Sequence, residues 1–191
     1  MTKGRLEAFS DGVIAIIITI MVLELKVPHG VDATSLRPLI PVFATYVMSF
    51  VYVGIYWNNH HHLFHACDRI NGKVLWANLH LLFWLSLVPF TTGWMGENHF
   101  AALPTAVYGV VLLLAAISYT VLQTTIVAHQ GPTSKLASAL GRDLKGKISM
   151  VLYLVAIPLA FPVRALSVAI YVIVALIWFV PDRRIESRLA E

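Results

Sequence analysis

Long, continuous apolar segments restrict what this chain can fold into. Six can be marked, at residues 5–27, 39–63, 74–95, 103–128, 147–162 and 164–181. Most are close to the roughly 20 residues with which a helix crosses a hydrocarbon core about 30 Å thick. The segments are apolar throughout and do not alternate with period two, so the sequence predicts helices and not strands.

The composition agrees with a membrane-embedded chain. Of its 191 residues, 58% are hydrophobic and 13% are charged. A globule with this balance would not stay dissolved. We therefore predict an all-α integral membrane protein, with six transmembrane helices per subunit in one domain over residues 1–191. No loop is long enough to form a separate catalytic domain, and we expect no enzymatic activity.

Two places in this pattern are irregular. Only Pro162, Val163 and Arg164 separate the fifth and sixth segments, and both segments are short. The prediction is a tight hairpin of two short spans, and one kinked re-entrant pair is the alternative. Pro89 lies inside the third segment and predicts a bend there.

Lysine and arginine residues lie mainly on one side when six spans are drawn. That side holds eleven of the fourteen: Lys3, Arg5, Arg69, Lys73, Lys135, Arg142, Lys145, Lys147, Arg183, Arg184 and Arg188. Lys26, Arg37 and Arg164 lie on the other side. Since loops rich in lysine and arginine usually lie on the cytoplasmic side, both termini are predicted to be cytoplasmic. The predicted location is the plasma membrane. The asymmetry accounts for the net charge of +4 without a nucleic-acid partner, and it favours membrane lipid of negative charge.

Asp11 stands at the head of the first apolar run, where ionisable residues are rare and usually functional. The end of the second segment and the start of the third carry histidine and asparagine side chains at a similar depth. A carboxylate buried without partners costs several kcal/mol. The sequence therefore predicts an inter-helix polar network around Asp11, drawn from His60, His61, Asn78 and His80.

The same histidines allow a metal site as an alternative. His61 and His65 share a helical face at i and i+4, and imidazole is a common ligand of zinc, copper and haem iron. Further ligands would come from His80, Cys67 or Asp68. A histidine-ligated redox protein is therefore one alternative function, and a proton-coupled transporter using Asp11 is another. We favour a structural role for the histidines and expect no metal and no cofactor.

The first segment also carries a stripe of branched apolar residues. At about 100° per residue, Ile16, Ile20 and Leu23 fall within about 60° of one another, and Gly12 and Thr19 join them. Around a central axis this stripe would place apolar rings and one hydroxyl ring along a pathway. The alternative is that the stripe contacts lipid or another span.

A signature precedes the stripe. Arg5, Phe9, Ser10 and Asp11 form the pattern Arg-x-x-x-Phe-Ser-Asp, and residues 12–16, Thr19 and residues 22–24 continue it. With the histidine-bearing segment at residues 57–64, the chain resembles the transmembrane-protein-175 family of potassium channels. The resemblance covers the whole chain in outline.

This resemblance implies a homotetramer of six-span subunits whose first helices line the pore. It implies potassium as the permeant ion, with weak to moderate preference over sodium. By position, the pore constriction falls on Ile16, Ile20 and Leu23, and the hydroxyl layer for potassium preference falls on Thr19. The signature residues would hold the pore helix against its neighbours. No Thr-Val-Gly-Tyr-Gly-like stretch occurs in the sequence, so no carbonyl filter is expected.

Overall fold

The computed structural model describes residues 2–67, 69–131, 134, 136–137 and 143–179. It contains, within these residues, helices α1 (Lys3–Leu23), α2 (Ile40–His65), α3 (Gly72–Ser86), α4 (Val88–Glu97), α5 (Ala102–Gln130), α6 (Leu144–Leu159) and α7 (Arg164–Phe179). A 3₁₀ helix, Ala33–Leu39, leads into α2. The all-α prediction is confirmed.

Several residues used in the sequence argument lie outside the described ranges. They are the candidate ligand Asp68, the basic residues Lys135, Arg142, Arg183, Arg184 and Arg188, and the last two residues of the sixth predicted segment.

Among the described residues, four helical stretches are long and apolar enough to cross a membrane. They are α1, the 3₁₀ helix together with α2, α3 together with α4, and α5. Helices α6 and α7 have 16 residues each. At about 1.5 Å per residue they are shorter than a core about 30 Å thick. They pack against each other as two separate helices, joined by residues 160–163, as the hairpin prediction had them.

The first helix is shorter than predicted. The sequence placed its end at residue 27, whereas α1 ends at Leu23. Pro28 disfavours a helical conformation of Val27, the residue before it, so the helix does not extend to the predicted end. Lys26 then turns toward the end of α4, where its ammonium lies 2.5 Å from Glu97 Oε1. This hydrogen bond raises the pKa of Lys26.

The third predicted segment is interrupted at Leu87, between α3 and α4. Pro89, in the first turn of α4, has no backbone N–H, and its ring would clash with a carbonyl four residues earlier in a continuous helix. The helix resumes at once, since Thr91 N donates to Leu87 O at 3.1 Å. The predicted irregularity at Pro89 is thus present as a break in one long apolar stretch.

The core has two parts. One lies among α1, α2, α3 and α5 and includes Ile14, Leu81 and Leu122. The other joins α5, α6 and α7 to α2 and is built around Tyr108 and Tyr171, whose rings meet edge to face at 5.7 Å. Helices α2, α4 and α5 contribute to both parts, whereas the buried apolar residues of α1 belong to the first alone.

Gly96 allows α4 to approach α2 closely. A Cβ atom added at Gly96 would lie 2.8 Å from the Cα atom of Val42. The obstacle is backbone and cannot rotate away, so any side chain here must push the two helices apart.

We expect Gly96→Ala to destabilise the protein by about 1–3 kcal/mol, because the added methyl group overpacks the contact with α2. Heat denaturation of the purified protein in detergent, followed by size-exclusion chromatography, gives the midpoint. Gly54→Ala on α2 is the matched control, since nothing lies within 4 Å of a Cβ there. Equal midpoints for the two variants would show that the α2–α4 contact tolerates the methyl group.

Candidate functional site

Helix α1 has one buried and one exposed face. Its buried residues recur at helical spacing: Leu6, Ser10, Ile14, Ile17 and Met21. The predicted stripe lies away from them, and Ile16, Ile20 and Leu23 are 58%, 42% and 81% exposed. Gly12 and Thr19 are exposed as well. The residues predicted to form the pore constriction are therefore largely left open by the described part of their own chain.

Thr19 is the hydroxyl on this face. Its Oγ1 donates to the Ile16 carbonyl one turn earlier, at 2.9 Å. A hydroxyl has one proton and two lone pairs, so this bond uses the proton and leaves the oxygen as an acceptor. Thr19 thus presents an electron-rich oxygen among apolar side chains, which suits a cation.

A chain of buried hydrogen bonds anchors the opposite face. Asn78 Nδ2 of α3 donates to Ser10 Oγ of α1 at 2.9 Å, and Ser10 Oγ donates to the Leu6 carbonyl at 2.9 Å. His60 Nε2 of α2 lies 2.8 Å from Asn78 Oδ1. An amide oxygen only accepts, so His60 Nε2 carries the proton and donates. Ser10, His60 and Asn78 are at most 1% exposed.

These bonds join three helices through polar groups in an apolar core. Each group would cost free energy if it were buried without a partner, and together they satisfy one another. The rotation of α1 about its axis is fixed by them, because Ser10 must face Asn78. The exposed stripe is turned outward as a consequence.

The predicted network is therefore present with a different centre. Asp11 is exposed, and its Oδ1 accepts a hydrogen bond from Trp57 Nε1 of α2 at 3.1 Å. Adjacent helix residues point about 100° apart, so Ser10 enters the space between three helices while Asp11 reaches the edge of α2. Sequence reasoning missed both Ser10 as the central group and Trp57 as the partner of Asp11.

Two of the four predicted network residues lie elsewhere. The His61 ring stacks between Trp57 and His65, with centroid distances of 6.3 Å and 6.2 Å. His80 Nε2 accepts from Trp84 Nε1 on its own helix at 3.0 Å. Both side chains are exposed, whereas His60 and Asn78 are buried. Neither is hydrogen-bonded to Asp11. His61 stacks on rings one helical turn away, and His80 accepts a hydrogen bond from a tryptophan one turn away.

The remaining signature residues point outward. Arg5 is exposed and Phe9 is 49% exposed. Of the four signature residues, only Ser10 and Asp11 make side-chain hydrogen bonds to other helices among the described residues. The packing role predicted for Arg5 and Phe9 stays a prediction.

The metal alternative finds little support in the described part of the chain. No three His, Cys, Asp or Glu side chains there lie close enough together to hold a metal ion. Cys67 is buried at the end of α2, and His80 is hydrogen-bonded to Trp84. Closed metal sites need three or four ligands.

We expect Asn78→Leu to lower stability by about 1–3 kcal/mol, because it leaves the His60 N–H buried without an acceptor. The temperature at which purified protein loses its assembled elution peak measures the effect. Asn58→Leu, at an exposed position on α2, is the control and should change the midpoint little. A loss as large at Asn58 would mean that the buried bonds are not the cause.

Comparison with known proteins agrees with this geometry. The sequence profile described as "Endosomal/lysosomal potassium channel TMEM175" matches residues 5–89. A potassium channel from Chryseobacterium sp. (strain P1-3) is 56% identical over 191 residues, which is all of both chains. The human endosomal/lysosomal proton channel TMEM175 is 31% identical over 152 residues, covering 70% of this chain and 30% of that protein.

A solved structure shares the fold. The crystal structure of a lysosomal potassium-selective channel TMEM175 homolog from Chamaesiphon minutus superposes with a TM-score of 0.80 and 32% sequence identity. The match covers 92% of this chain and 95% of that one. The resemblance inferred from the sequence is confirmed, and the chain belongs to the TMEM175 family of membrane channels.

Proposed function

We propose that this protein is a potassium-permeable cation channel of the plasma membrane, in which four subunits place their α1 helices around one central pathway. The observation that supports it is the uncovered stripe of α1, opposite a face held by buried hydrogen bonds. A face of branched apolar residues around one hydroxyl, on a helix of fixed rotation, suits a pore wall. Family membership supports the same role.

The proposed constriction is hydrophobic. Four copies of Ile16, Ile20 and Leu23 would form successive apolar rings. A hydrated ion does not enter a narrow apolar neck readily, because the neck loses its water. The gate opens when the rings widen enough to stay wet. No carbonyl filter takes part.

Selectivity is proposed to come from Thr19. Its oxygen has lone pairs free of the bond to Ile16 and can replace part of the hydration shell of potassium. A ring of hydroxyls with trapped water holds its oxygens around an ion in a less fixed geometry than a cage of carbonyls does. The preference for potassium over sodium is accordingly weak to moderate.

The proposed topology places both termini in the cytoplasm. Lys3 Nζ at the start of α1 lies 3.4 Å from the His65 carbonyl at the end of α2. Asn71 at the start of α3 is hydrogen-bonded at 3.0 Å to His129 at the end of α5. These ends share the side that is rich in lysine and arginine, which the positive-inside rule assigns to the cytoplasm.

We expect Ile16→Asn to raise potassium flux several-fold, because an amide side chain keeps the neck wet. Flux is measured into liposomes that contain the purified protein, with potassium or sodium gradients. Val22→Asn is the matched control: Val22 is 45% exposed on the same helix, about 100° or more from Ile16, Ile20 and Leu23. It should leave the flux unchanged.

The outcomes separate the alternatives. Equal flux increases in both variants would contradict the proposal that the stripe lines the pore. No flux from any correctly assembled protein would remove the channel proposal.

Protons are a second candidate permeant ion, because the matched human relative is named a proton channel. A pH-sensitive dye inside the same liposomes tests this. Acidification that persists without potassium would make the proton the carried ion.

A further inference from the structure

A wide groove of about 760 Å³ runs between α3 and α5 at the end of the molecule that carries most of the lysines and arginines. One wall is a single helical stripe of α3, formed by Lys73, Trp76, Ala77 and His80. The other wall is formed by Val121 and Thr125, one turn apart on α5. The residues named so far for conduction take no part in it.

The chemistry of the groove changes with depth. Lys73 is exposed in the first turn of α3, and Trp76 follows with 75% exposure. His80 lies about 10 Å from Lys73 along the helix axis. None of the described residues that line the groove is acidic. A cation above an aromatic ring above an apolar wall follows the order of a membrane surface: headgroup, interface and acyl chains.

The polar end of the groove is held in place. Asn71 Nδ2 donates to His129 Nδ1 of α5 at 3.0 Å, and Asn71 Oδ1 accepts from the backbone N–H of Val74 at 3.0 Å. One amide thus caps α3 and ties it to the end of α5. The start of α3, and Lys73 with it, is fixed relative to both walls.

His80 adds a polar group inside the groove. Its Nε2 accepts from Trp84 at 3.0 Å, so in the neutral ring Nδ1 carries the proton. That N–H is a donor at a depth where the neighbouring wall, Ala77 and Val121, is apolar. A ligand with an oxygen-rich group and an apolar extension can accept a hydrogen bond from this N–H and also contact the apolar wall.

We propose that this groove binds an anionic phospholipid of the cytoplasmic leaflet, with the phosphate at Lys73 and an acyl chain along Trp76, Ala77 and Val121. The leaflet rests on the topology proposed above, whereas binding does not depend on which ion permeates. Positive charge at the end of a transmembrane groove attracts anionic headgroups, and the apolar wall offers an acyl chain a contact that a purely soluble anion lacks.

The test uses purified protein in detergent with equal amounts of phosphatidylglycerol and phosphatidylcholine. Native mass spectrometry counts each lipid retained per subunit. Wild type should retain phosphatidylglycerol in excess, and Lys73→Gln should lower the ratio of the two lipids about fivefold. Lys73→Arg should keep the ratio, and Trp76→Ala should lower retention of both lipids.

Arg37→Gln is the matched control, because it removes one exposed positive charge at the opposite end of the molecule. An unchanged ratio in Lys73→Gln, or an equal fall in Arg37→Gln, would overturn the proposal. A smaller assembly in Trp76→Ala with an unchanged lipid ratio would also overturn it and make the groove a contact between copies. In wild type itself, higher salt should reduce the excess of phosphatidylglycerol, and an excess that salt does not change argues against the proposal.

Discussion

The hydrogen bonds that link Ser10, Asn78 and His60 fix how α1 is rotated, and the proposed pathway depends on that rotation. Inside a membrane, apolar packing alone defines rotation weakly, because lipid tails are as apolar as leucine. A helix with isoleucine, valine and leucine on most of its faces could rotate about its axis without losing much packing energy. A helix whose buried serine is hydrogen-bonded to an asparagine on a neighbouring helix cannot rotate without breaking that bond. This buried polar contact therefore decides which isoleucines lie outside the core.

The same constraint gives the signature its physical meaning. Ser10 and Asp11 are adjacent but serve different neighbours, since Ser10 bonds α3 in the interior and Asp11 bonds Trp57 at the edge of α2. Two polar contacts about 100° apart at one level of the helix restrain its rotation about its axis. Thr19 and the apolar stripe then lie on the side that neither contact uses. The proposed selectivity layer and the anchor are thus two consequences of one helical register.

The sequence predicted the helices well because they lie in continuous apolar runs, and it predicted a bend near Pro89, where the structure has a break, because proline has no N–H. It placed the end of α1 too late, since a turn stabilised by Lys26 and Glu97 depends on two residues distant in the chain. For the site, spacing identified His60 and Asn78 but assigned them to Asp11. Which of two adjacent residues faces a crowded interior depends on where neighbouring helices stand. That position is a tertiary property, and no local pattern shows it.

The anchors also restrict how a pathway along α1 could widen. Ser10 is bonded near one end of the helix, and Lys26, just beyond the other end, is paired with Glu97 of α4. The second bond is exposed and weak, whereas the first is buried and costly to break. Bending α1 alone at Ile16 would leave its backbone hydrogen bonds unsatisfied in an apolar medium. The less costly motion keeps the buried bonds and moves α1 with α2 and α3 as one body. A motion that separates α1 from α4 should therefore break the exposed Lys26–Glu97 pair more readily than a motion that separates α1 from α3 breaks the buried bond of Ser10.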